Sequence, residues 1–338
     1  MSSTPSAAEI AFDATWLVQA LDSRNGLVRI VKMDRQSYRQ ASFLDDRMMQ
    51  QPREAHVVPW QLARDAPGVD SRRDARWIFH IGHAGSTLVA RLLGELDGIL
   101  SVREPRFLRD VAMLGKAERD DFTGPAQALF SRTFGSHETA LVKATSFVSE
   151  IADELVHKGG RALFLYSTPR NYVASILAGP NSVQELAALA PSRAQRMSAR
   201  VPGLTARTAA DAAAAAWACE MTALEAAAEK MTERQVFWAD FDAVLADMPA
   251  RLALVAERLG LTTDGIDSIA AGPLMSRYSK APEHDYSPSL RRDLISEAAA
   301  ANRDDIDRAL AMLQSAAENS PLLERALRRS ECTESSSS

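Results

Sequence analysis

Short apolar runs alternate with stretches of helical periodicity through most of this chain, which predicts a parallel sheet with crossover helices. Residues 77–81 (Trp-Ile-Phe-His-Ile) form one such run. A small-residue turn follows, then Leu88, Leu92 and Leu93 at core-facing helical spacing, so the order reads strand, turn, helix. Residues 99–102 predict a second strand ending at Arg103 and Glu104, and residues 140–142 a third ending at Lys143. Residues 162–166 are apolar throughout, as a strand covered on both faces should be; Thr168 then caps a helix with Pro169 at its first position. An Ala-rich helix is expected from about 205 to 231, with Trp217, Met221, Leu224, Ala228 and Met231 as its inward stripe. Residues 235–239 predict the last strand, and Pro249 opens a helix that Gly260 closes. Ahead of all this, residues 27–31 alternate as a strand after a turn. Residues 178–204 carry Gly179, Pro180, Pro191, Pro202 and Gly203 and predict a mobile excursion above the sheet edge, where substrate lids sit, or else a variable surface insertion.

The 338 residues, 46% of them hydrophobic, suffice for one large α/β domain with additions. The expected division is an N-terminal accessory segment over 1–74, a main domain over 75–330 and a disordered tail over 331–338. A net charge of −5 provides no global positive field, so neither a nucleic-acid nor a membrane partner is expected. No apolar run approaches the length of a membrane span, and the N-terminus lacks a signal-peptide pattern. Two distant cysteines, Cys219 and Cys332, fit a reducing cytoplasm. The six histidines show no metal-ligand spacing, so no metal is expected. A homodimer remains an open expectation.

The turn after residue 81 carries the candidate chemistry. Gly82 and Gly85 allow a tight turn that brings backbone N–H groups to an anion, and Ser86 and Thr87 add hydroxyls at the first helical turn. A Walker A loop would need lysine where Ser86 stands and glycine where His80 stands. His80, flanked by Phe79 and Ile81 on a buried strand, reads as a structural histidine.

The stretch His83-Ala84-Gly85-Ser86-Thr87-Leu88 resembles the phosphosulfate loop of the PAPS-dependent sulfotransferases, bacterial sulfotransferase-like members included, with His83 where lysine or arginine is usual. Lys143-Ala144-Thr145 resembles the family's K-T strand end. Residues 167–175 resemble its R-x-P-R-D-x-x-x-S segment. Residues 235–241, Pro249 and Leu259-Gly260-Leu261 resemble its late strand, acidic motif and helix end. The resemblance runs in order from about 77 to 261. It implies a P-loop-type three-layer α/β fold with a central, mostly parallel sheet, helices on both faces and an N-terminal extension. It implies transfer of a sulfuryl group from PAPS, leaving PAP, to a hydroxyl or amine of a small-molecule, glycan or peptide acceptor. Gly82, His83, Ala84, Gly85, Ser86 and Thr87 would hold the phosphosulfate, with His83 donating to the leaving oxygen. Glu104 would be the base, as in the glycan branch; the rival reading pairs it structurally with Arg103, Arg106 or Arg109. Lys143 would stabilise sulfonate oxygens. For the 3′-phosphate Ser175 matches, but Ser167 stands where arginine is common. Arg170, or Arg277 and Lys280 in a late basic loop, would compensate, with Tyr278 or Trp60 stacking on adenine. Two other readings stay open: an ATP-dependent phosphotransferase, against which the missing Walker lysine counts, and a non-catalytic nucleotide- or partner-binding protein.

Overall fold

A computed structural model describes residues 3–66, 68, 71–276 and 288–334. Residues 335–338 of the expected tail, and Arg277, Tyr278 and Lys280 of the late loop, lie outside these.

The chain opens with three antiparallel strands, β1 (Trp16–Asp22), β2 (Leu27–Lys32) and β3 (Ala55–Pro59), in the order β1-β2-β3. Five more follow: β4 (Arg76–His80), β5 (Ile99–Arg103), β6 (Thr139–Lys143), β7 (Arg161–Tyr166) and β8 (Gln235–Asp240). They form a second sheet in the order β5-β6-β4-β7-β8, and every pairing in it is parallel. Successive strand residues point to opposite faces, and Ile78 and Phe79 are both fully buried, as are Leu163 and Phe164. Both faces are therefore covered, which explains why these runs are apolar without alternation. This is the three-layer α/β architecture of the P-loop type that the sequence predicts.

Strand order sets the place of a site. From β4 the chain passes to β5 at the sheet edge, returns to β6 beside β4, then crosses to β7 on the other flank of β4. The connections diverge around β4, and ligands of open parallel sheets bind at the carboxyl ends of strands at such a point.

The N-terminal section packs beside β5, and its core is continuous with the main one, from Ile10 to Leu327. Two buried arginines hold it there through backbone carbonyls. Arg103 donates to the carbonyls of Ala41 (2.9 Å from Nε), Arg39 (3.2 Å) and Tyr38, while Leu44 N–H donates back to the Arg103 carbonyl at 2.7 Å. Arg132 donates to the carbonyls of Trp16 (2.8 Å) and Ile10.

Within residues 178–204, where the prolines and glycines suggested an excursion without regular structure of its own, Pro180–Met197 is a helix. Pro180 occupies its first turn, where a missing N–H costs nothing. Pro191 interrupts its interior, yet Leu186, Arg193 and Met197 are buried, and that packing outweighs the local preference. The Ala-rich helix runs Ala209–Lys230, capped by Thr208 and Asp211 in a reciprocal box. Among the described residues no helix is long and apolar enough to cross a membrane.

Candidate active site

The turn after β4 is held by its own histidine. The Gly82 N–H donates to Nδ1 of His80 at 2.9 Å, and Nε2 of the same ring lies 3.0 Å from the Ala144 carbonyl. Since Nδ1 must accept, the ring proton belongs on Nε2, where it faces the carbonyl. His80 thus ties the turn to the end of β6, a structural role. Gly82, His83 and Gly85 all have positive φ, at 78°, 47° and 59°. Successive left-handed residues turn N–H groups to one side and form an anion-binding concavity. Gly85 also meets a steric demand, because a Cβ there would lie 1.9 Å from the Phe241 ring. The helix Ser86–Leu93 starts immediately after it with no side-chain cap, so its first N–H groups face the turn.

This turn opens into a cavity of about 700 Å³ at the carboxyl ends of the strands. Glu104 and Lys143, the last-strand residues singled out in the sequence, meet in it. Glu104 has φ 54° and extends the sheet by one bond, its N–H donating to the Lys143 carbonyl at 2.7 Å. Its Oε1 is hydrogen-bonded to Lys143 Nζ and its Oε2 lies 3.3 Å from Arg47 Nη2. Glu104 is thus in an ion pair, as the rival reading had it, but with other partners: Arg103 is engaged by backbone carbonyls, Arg106 pairs with Asp46 and Asp110, and no ion pair among the described residues joins Arg109 to Glu104. Lys143 is 1% exposed, so the pair sits at the bottom of the cavity. Arg47 is stacked 3.4 Å over the Phe43 ring. Burial works against its charge, but Asp45 and Glu104 raise its pKa above the ordinary guanidinium value.

Of the loop residues, Gly82, His83, Gly85, Ser86 and Thr87 line the cavity, and the Ala84 side chain is buried behind it. Thr145 lines it too, with a buried hydroxyl that has no partner among the described residues. Of the expected 3′-phosphate residues, Arg277 and Lys280 lie outside the described residues, and Arg170 and Ser175 are engaged elsewhere. Arg170 pairs with Asp307 at 2.5 Å, and Ser175 donates to the Tyr172 carbonyl within its own helix. Neither lines the cavity, and Ser167 is buried. Trp60 is packed between Phe107 and Phe122 with its indole N–H on Asp121, which removes it as an adenine stacker.

Several lining residues escaped the sequence reading. Phe43, Asp45 and Arg47 come from the N-terminal section, Arg193 from the helix Pro180–Met197, and Arg291 from the helix Pro288–Ala301. Arg291 lies 5.1 Å over Phe241 and 3.3 Å from Asp242. None belongs to a local motif. Arg47 follows Asp45 in a polar stretch, and nothing in sequence distinguishes it from a solvated charge. Among the described residues no group of three or more His, Cys, Asp or Glu side chains is placed to hold a metal ion.

No protein-family model matches this chain, and no curated protein does. Among solved structures it is similar to the sulfotransferase domain from the curacin biosynthetic pathway, at 11% identity and a TM-score of 0.40, over 72% of this chain and 99% of that one.

Proposed function

We propose that this chain transfers a sulfuryl group from PAPS to a hydroxyl or amine. The observation that carries the reading is one cavity at the strand ends holding three things: the Gly82–Thr87 loop, the Lys143 ammonium and the Glu104 carboxylate. The residues present fit the phosphosulfate end of that cosubstrate. The donors are neutral N–H groups with two hydroxyls and one ammonium, and the buried Thr145 hydroxyl still lacks a partner among the described residues. At the nucleotide end Arg291, stacked on Phe241, lines the cavity and offers a guanidinium in place of Arg170.

When bound, PAPS supplies an activated sulfuryl group on a phosphate leaving group. The chain's own residues do the rest. Loop N–H groups and the Ser86 and Thr87 hydroxyls hold the leaving phosphate, and their fixed dipoles stabilise its growing charge without reorganisation. The Lys143 ammonium turns a proton towards a sulfonate oxygen, which loosens its hold on Glu104. The freed Glu104 carboxylate takes the proton of the acceptor O–H or N–H as the acceptor atom bonds to sulfur and the sulfur–phosphate oxygen bond breaks. Arg47 keeps that carboxylate oriented from its Oε2 side. His83, on the left-handed turn, donates to the leaving oxygen.

Calorimetric titration with 3′,5′-phosphoadenosine tests the reading, against AMP and against ATP with Mg²⁺. Metal-independent binding that is lost in AMP supports it. ATP binding without a 3′-phosphate requirement replaces it with the phosphotransferase reading, and no binding of any of the three replaces it with a non-catalytic protein.

A further inference from the structure

The cavity has two halves, set by strand order. The Gly82–Thr87 loop leaves β4 at the centre of the sheet. Phe241 and Arg291 lie on the β8 side, while Glu104, Arg109 and Met113 follow β5 at the opposite edge. With neighbouring strands about 4.8 Å apart, β5 stands about 10 Å from β4. A nucleotide lying from the loop towards Phe241 leaves the β5 half open.

That half has its own chemistry. Arg109 lines it half-buried, and its guanidinium makes no hydrogen bond or ion pair among the described residues. Every other arginine lining the cavity has a carboxylate partner: Arg47 has Asp45 and Glu104, Arg193 has Glu220, and Arg291 has Asp242. Met113, one helical turn beyond Arg109, is 70% exposed and borders the same space, and Leu189 on the facing helix is 40% exposed. These are large apolar side chains at a cavity mouth beside an uncompensated cation. The facing wall also carries Glu185, but that carboxylate is exposed to solvent and screened, whereas Arg109 is partly withdrawn from it.

The geometry points to Arg109 as the anchor for the acceptor's carboxylate: the acceptor is a small amphiphilic hydroxy acid. Its carboxylate meets the guanidinium fork, its apolar body lies against Met113 and Leu189, and its hydroxyl reaches Glu104. The assignment of this half to the acceptor rests on the sulfuryl-transfer reading; the anion preference itself does not. A planar guanidinium suits a carboxylate in two parallel hydrogen bonds, and a single positive charge matches a single negative one.

The test uses the full chain and calorimetric titration with 4-hydroxyphenylpropanoate and its neutral amide, with and without saturating 3′,5′-phosphoadenosine. The wild type is expected to bind the acid at least about tenfold tighter than the isosteric amide. Arg109→Met should abolish that preference while leaving phosphoadenosine affinity unchanged, and Arg109→Lys should keep part of it, which separates lost charge from a lost fold. Equal binding of acid and amide, binding of neither, or a preference that survives Arg109→Met overturns the proposal. So does a parallel loss of phosphoadenosine binding in Arg109→Met, which would put Arg109 in the nucleotide half. Failure of phosphoadenosine to bind the wild type strikes only the sulfuryl-transfer reading, because the acid preference without nucleotide is read separately.

Discussion

Glu104 and Lys143 illustrate how much a single residue's role depends on its partners. Each was legible in sequence as a charged residue closing an apolar run. Their direct pairing was not, because β5 and β6 are brought together only by the parallel register that sets Arg103 opposite Lys143. Glu104→Gln keeps the shape but removes the carboxylate that we propose as proton acceptor. It should lower kcat by about 10²–10⁴-fold, with phosphoadenosine affinity unchanged. It also leaves the buried Lys143 without its counter-charge, so the thermal midpoint should fall. Steady-state turnover, calorimetry and a melting curve read the three effects, and wild-type turnover in this variant would remove Glu104 from the chemistry. Gly85 makes a second demand at this scale. Alanine there meets the Phe241 ring and must hold φ 59°, for a combined cost of about 2–4 kcal/mol. Urea unfolding of Gly85→Ala should show that loss, and Phe241→Leu in the same chain should recover the steric part but not the strain. A double variant no more stable than Gly85→Ala alone would show that the ring contact is not what restricts this position.

At the level of elements, periodicity carried the reading where one face of a segment is buried and lost it where burial is set by distant charges. The Ala-rich helix was legible because its stripe repeats at helical spacing. The helix Pro180–Met197 was not: two prolines and a glycine suggest a break, and what holds the segment is an ion network that no local window contains. Arg193 and Arg196 both reach Glu220, and Arg196 and Arg200 both reach Glu150. Glu220 is 1% exposed, so Glu220→Ala would strand the Arg193 guanidinium, leave Arg196 with Glu150 alone, and should cost about 3–5 kcal/mol. Chemical denaturation measures it, and a loss below about 1 kcal/mol would mean that the network is solvated and contributes little. The adjacent Cys219 reports on the same packing. Burial, with the Glu220 charge adding to it, pushes its thiol up to about 12. A thiol whose folded pKa lies above its unfolded one gives stability that is full below pH 9 and is lost as pH rises towards 12. In a Cys332→Ser chain, Cys219 should therefore resist a disulfide reagent at pH 8 until denaturant is added, and fast modification of the native protein would show that the helix opens locally.

The whole molecule joins two sheets that the sequence reading assigned to separate sections, 1–74 and 75–330. Alternation predicted β2, but neither β1 nor β3, and the one site residue expected from 1–74, Trp60, is not among those that line the cavity. The first section's contribution arises because Arg103 and Arg132, both in the main domain, end in its carbonyls, and this docks Phe43, Asp45 and Arg47 over Glu104. A buried guanidinium stripped of its acceptors is costly, and β1 is almost wholly buried. The N-terminal section should therefore not be separable from the rest. A chain beginning at residue 75 should expose the β1-facing surface of the helix Arg106–Ala112, lose the second cation on Glu104, and aggregate or melt well below the full-length protein. Within the intact chain, Arg47→Ala should lower kcat with little effect on phosphoadenosine affinity, since Arg47 touches the carboxylate and not the loop. Size-exclusion chromatography and melting of the truncated chain, together with kinetics of Arg47→Ala, decide the matter. A monomeric truncation with unchanged melting and nucleotide binding would make the first section a dispensable cover, whereas joint loss of folding and turnover makes it one wall of the active site.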